Sequence, residues 1–164
     1  MSRAKKAGLG AEIERKMEQR YDKEEEAGVP SAIVSWINGI FEGTKNPTCP
    51  GSAMQQIHAY LQDGTNLCRL INKLLETDGK AAISFAKNVK SPFAAMGNIE
   101  NFSKGCESFG LNKEALFQSN DLTEGKKGPF LNVINCLHSL GFLANSKMVL
   151  PAYTGQQTKY MEDD

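Results

Sequence analysis

The residues of this chain best suited to chemistry are two histidines, four cysteines and a set of lysines. Nucleophilic catalysis needs a hydroxyl or thiol held against a base. His58 and His138 each fall on a helical stretch among apolar neighbours, and no motif sets either beside a nucleophile. No G-x-S-x-G elbow occurs. Both histidines therefore read as structural. Gly8-Leu9-Gly10 precedes a helix but follows no strand and lacks a third glycine, so it is not a dinucleotide loop. Gly125-Lys126 imitates the end of a phosphate loop, yet Asn120 stands where that loop needs its first glycine. Asp63 and Asp78 sit at helix ends without the ladder of oxygen ligands that calcium requires. Cys68, Cys106 and Cys136 lie inside apolar helical patterns and read as small core residues. Cys49 lies in a Pro/Gly-rich loop and is expected to be exposed. No cysteine or histidine spacing suits zinc. These residues predict no catalytic, metal-binding or cofactor-binding site, and no enzyme.

The lysines remain. Nineteen basic and nineteen acidic residues cancel to zero net charge, which argues against nucleic acid as the main partner. The balance is local: from Lys80 to Lys127 there are seven lysines against five acids. Lys87 and Lys90 flank an exposed-looking loop, and Lys126 and Lys127 precede the last helix. Lys5 and Lys6 add charge at the start. Such lysines steer an acidic partner without fixing a unique geometry. The first twenty residues hold no continuous apolar stretch, and no run reaches membrane-spanning length. A reduced, cytoplasmic monomer without membrane contact is the expectation.

What must position these groups is a set of helices. Residues 1–8 read as a loose tail. From Leu9 to Ala27, Ile13, Met17 and Tyr21 form a narrow apolar stripe on a charged helix. Gly28-Val29-Pro30 breaks it and opens a second helix carrying Ile33, Trp36, Ile37, Ile40 and Phe41. Met54, Ile57 and Leu61 mark a short helix. Leu67, Leu70, Ile71, Leu74 and Leu75 give the strongest core pattern, with Thr65 as a cap and Gly79 as a stop. Phe85, Val89 and Phe93 belong to an irregular crossing. Met96, Ile99, Phe102, Cys106 and Phe109 define a further long helix ending at Gly110. Asp121 reads as a capping residue with Glu124 three positions on. Phe130, Val133, Ile134, Leu137 and Leu140 form the last buried stripe, with Gly141 as its left-handed end. Residues after Leu150 read as a flexible tail. Trp36, Leu67, Leu70, Ile71, Leu74, Ile99, Phe102, Val133 and Leu137 are the predicted core. The fold class is all-α, with four main core helices and shorter connecting ones; sustained period-two alternation is absent.

Several blocks carry a family resemblance over residues 8–143. Gly8–Lys16, Arg20-Tyr21-Asp22 and Trp36-Ile37 resemble the opening of calponin and transgelin proteins. Leu61–Asn72, with its aspartate-glycine turn before the core helix, is similar to that family's central signature. Met96–Phe102, Cys106–Gly110, Leu116–Gly125 and Asn132–Gly141 resemble its later sections. The resemblance implies a calponin-homology domain at 9–143, a role at actin filaments in muscle or contractile cells, and no catalytic centre. It makes Lys87, Lys90, Lys126 and Lys127 candidate actin contacts. The alternative it implies is a scaffold or signalling adaptor built on the same domain. Residues 144–164 form an extension, and from Pro151 to Asp164 it shows no calponin-like repeat, which implies weak or auxiliary filament binding.

Overall fold

Leu67, Leu70, Ile71, Leu74 and Leu75 line the buried side of α4 (Thr65–Thr77), the helix at the centre of the molecule. The structure, a computed structural model, describes residues 2–156, with side chains described from Gly8 onward. Helix α4 packs on α5 (Pro92–Phe109), α3 (Met54–Leu61) and α2 (Val29–Ile40). Helix α7 (Lys127–Ser146) packs on α1 (Ser2–Glu26), on α2, on the short α6 (Ser119–Thr123) and on a 3₁₀ turn at Lys113–Ala115. Trp36, Ile99, Phe102, Val133 and Leu137 join the α4 leucines in one continuous core. Among the described residues there is no strand, so the fold is all-helical. Helices α2, α4, α5 and α7 supply most of the buried side chains, and the shorter elements connect them.

The ends of these helices follow from local chemistry. Ser91 Oγ accepts the Ala94 N–H at 3.1 Å, and Pro92 occupies the first turn, where its missing N–H costs nothing. Helix α5 stops at Gly110, whose φ of 117° lets the Leu111 N–H turn back to the Cys106 carbonyl at 2.9 Å. Helix α4 is capped differently from the sequence expectation. Thr65 is already helical, and Asp63 Oδ1 accepts both its N–H at 2.9 Å and its hydroxyl at 2.7 Å. Asp121 likewise lies inside α6, where its Oδ2 accepts the Gln118 N–H at 2.9 Å.

Other expectations are corrected. Residues 2–8 of the segment read as a loose tail belong to α1, which begins at Ser2; alanines and lysines there are strong helix formers. Gly141 does not end the last helix, which continues to Ser146, so the 143 boundary falls inside α7. Phe93 belongs to the first turn of α5 and is 85% exposed. Cys49 is buried, at 5% exposure, because Asn38 grips its backbone: Nδ2 donates to the Cys49 carbonyl at 3.0 Å and Oδ1 accepts its N–H at 2.8 Å. The residues after Leu150 are not loose as far as they are described. Tyr153 is 3% exposed and packs against Trp36, with ring centres 5.6 Å apart. Positions 157–164, including the acidic end, lie outside the described residues.

Candidate functional site

The stretch between α4 and α5 carries Lys87 and Lys90 and has no regular structure of its own. Its backbone groups need partners, and two asparagines supply them. Asn72 on α4 accepts the Ile83 N–H at 2.8 Å and donates to the Ile83 carbonyl at 3.1 Å. Asn98, buried on α5, accepts the Ala86 N–H at 2.8 Å and donates to the carbonyls of Ala86 at 2.9 Å and Asp63 at 3.0 Å. Each primary amide thus stands in for a strand neighbour. Sequence reasoning missed both residues; the available signal was Asn98 adjoining the apolar stripe of α5, where a polar group demands satisfaction.

Beyond these attachments Lys87 and Lys90 are exposed. Lys90 lines an open groove with Val89, Pro92 and Ala95 on one side and Asp63 and Thr123 on the other. Thr123 ends α6, three residues before the exposed Lys126, which stands at the entry to α7. Phe93, the second residue of α5, is exposed and follows the groove residue Pro92 in the chain. Lys127 differs from the other three: its ammonium donates to Asp22 Oδ1 at 2.8 Å, tying α7 to α1. That hydrogen bond holds the Lys127 pKa above the usual lysine range. The side chains of Lys5 and Lys6 lie outside the described residues.

The histidines sit apart from the lysine groove in their bonding. His58 Nε2 lies 2.8 Å from the Leu122 carbonyl, joining α3 to α6. His138 Nδ1 lies 2.6 Å from the Tyr153 hydroxyl, and burial pushes its pKa below the ordinary value. The His58 partner is a backbone carbonyl, and the His138 partner is a phenol whose pKa burial raises. Burial among apolar helices raises the Cys68 thiol to about 12 and Cys106 well above its ordinary value. Among the described residues no helix is long and apolar enough to cross a membrane.

Comparison with known proteins agrees with this architecture. The calponin-homology domain of Rng2 from Schizosaccharomyces pombe is structurally similar, with a TM-score of 0.58 at 20% identity. The alignment covers 85% of this chain and 82% of that one. At that identity the likeness concerns the fold. Residues 29–145, which run from the start of α2 almost to the end of α7, match the calponin homology (CH) domain. Helix α1 and the segment after α7 flank the matched range, and both pack back on α7 or its neighbours. This chain belongs to the calponin homology domain family, whose members are typically actin-binding and cytoskeletal modules.

Proposed function

We propose that this chain is a calponin- or transgelin-type protein that attaches weakly to actin filaments through a dispersed basic surface. The observation that carries the reading is the exposure of Lys87, Lys90 and Lys126, with Lys90 lining an open groove, in a domain of this family. The sequence blocks from Gly8 to Gly141 support the subfamily. Zero net charge supports weak binding, because the attraction of an acidic filament then rests on a local cation excess. Exposed charges are screened over about 8 Å at physiological ionic strength, so contact is steered but not held firmly as salt rises. The chain acts as a monomeric cytoplasmic binding module of muscle or contractile cells, without catalysis or cofactor.

Cosedimentation with actin filaments at low and physiological salt tests this reading. Pelleting at low salt that declines as salt is raised is the expected outcome. Absence of pelleting at both salt levels overturns it and favours an adaptor role toward another protein.

A further inference from the structure

The segment that follows α7 is held by features that simple packing does not require. The chain turns at Lys147–Leu150, with Met148 at a φ of 64°, and runs back over α7 and α2. Both helices offer a glycine where it crosses. A Cβ on Gly39 would stand 2.8 Å from Pro151 Cγ, and one on Gly141 would stand 2.5 Å from the Tyr153 ring. Tyr153 fills the space between Trp36, His138 and Phe142, with ring centres 5.6, 5.5 and 5.5 Å away. Asn145 bonds the Tyr153 backbone at both its N–H and its carbonyl.

The polar end of this arrangement is unbalanced. The Tyr153 hydroxyl meets His138 Nδ1 at 2.6 Å, while His138 Nε2 is buried with no hydrogen-bond partner. The charged group that acts on both side chains is Glu24 of α1, itself buried. Helix α2 contributes Trp36, which does not titrate, and α7 contributes Phe142 beside the histidine.

We infer that Pro151–Gly155 is a proton-released strap: protonation of His138 loosens Tyr153 and uncovers the groove of Trp36, Gly39, Gly141 and Phe142. A neutral imidazole can share one hydrogen with the Tyr153 hydroxyl and leave Nε2 dry. An imidazolium carries an N–H at both nitrogens, and the second has no acceptor there. The cation also loses its hydration in the apolar groove. The Glu24 carboxylate favours the cation, but burial outweighs it and the pKa stays below its ordinary value. The strapped form is therefore fully favoured above about pH 6.5, the ordinary histidine pKa, and loses ground as pH falls below it. Each unit between the strapped and released pKa values changes the ratio of the two forms by up to about tenfold.

Trp36, the single tryptophan, reports on the strap directly. Its emission and acrylamide quenching are followed from about pH 8 to about pH 5, with far-ultraviolet circular dichroism as a check on the helices. The expected result is a reversible red shift and greater quenching with a midpoint below about 6.5, at constant helicity. The change persists in His58→Gln and disappears in His138→Gln, while Tyr153→Ala is shifted at every pH. Should His138→Gln fail to fold, nuclear magnetic resonance of the unaltered chain decides: His138 titrates below about 6.5 and the Tyr153 ring signals move at the same midpoint. An unchanged Trp36 signal throughout, a transition retained in His138→Gln, or a His138 titration at or above the ordinary value overturns the inference.

Discussion

Asn145 closes on Tyr153 with both atoms of its amide, donating from Nδ2 to the carbonyl at 2.8 Å and accepting the N–H at Oδ1 at 2.8 Å. The same device recurs at Asn38 with Cys49, Asn72 with Ile83 and Asn98 with Ala86. In all four the asparagine belongs to a helix and the gripped residue to an irregular segment. The helices thus supply the partners that a neighbouring strand would otherwise give.

Asn98 is the clamp with most at stake, since its amide also reaches the Asp63 carbonyl beside the start of α4. Asn98→Ala leaves three backbone groups without these bonds and is expected to cost about 1–3 kcal/mol in urea unfolding. Hydrogen exchange at the Ala86 amide should accelerate. Asn98→Asp should be worse than alanine, because it sets a carboxylate oxygen against two carbonyls.

Leu70→Ala tests the centre of the core. The side chain is fully buried, so a cavity costing about 2–5 kcal/mol is expected from denaturant unfolding. A loss below about 1 kcal/mol would show that α4 can be repacked cheaply. Trp36→Ala, at 2% exposure, should cost about 3–5 kcal/mol and lower any binding through stability alone.

All four thiols should react slowly with a thiol reagent in the native chain, and quickly once it unfolds. Cys49 is included because its Sγ lies 3.2 Å from the Gly51 carbonyl under the Asn38 clamp. Asn38→Ala should make Cys49 the first thiol to react.

Lys147 ties three points together: it donates to Asp78 Oδ2 at 2.8 Å and to the Phe109 carbonyl, and lies over the Phe109 ring. Bonds from Lys147, then Lys80, hold the Asp78 carboxyl below its usual pKa. A depressed carboxyl stabilises the fold above its unfolded pKa, near 3.9, and that contribution is lost as pH falls through the lower folded value. The stability difference between the unaltered chain and Asp78→Asn should therefore be constant near neutrality and shrink in acid. Lys147→Met should destabilise more than Lys80→Met.

The four lysines should separate into two kinds. Lys87→Ala, Lys90→Ala and Lys126→Ala are each expected to lose part of low-salt filament binding without moving the melting temperature. Lys127→Ala also breaks the bond to Asp22, so it should loosen α1 as well as weaken binding. A fourfold variant that pellets normally at both salt levels would assign these lysines to solvated surface.

Periodic apolar spacing carried the helices and the core because burial of one helix face repeats along the chain, as at Leu67 to Leu75. It could not carry Tyr153, which is a single buried aromatic in a segment without period. Gly141 misled for a related reason. A glycine near the end of an apolar stripe usually terminates the helix, whereas here the absent side chain makes room for a ring arriving twelve residues later. The lysines were visible as types, but the bond from Lys127 to Asp22 spans 105 residues and leaves no mark in local sequence. The asparagine clamps are hidden likewise, since the partner is backbone and has no residue signature.

The α4–α5 connection hangs from fixed points at Ile83 and Ala86 and then runs on to the cap at Ser91. Chain length between those two points is set by the distance from Asn72 to Asn98, so an added residue there must break one attachment. Between Ala86 and Ser91 no asparagine grips the backbone among the described residues. Insertions and deletions can accumulate in that short span over evolutionary time, lengthening or shortening the reach of Lys87 and Lys90 while the helices stay in register. The anatomy thus divides one loop into a part whose length the two asparagines fix and a part whose length they leave open.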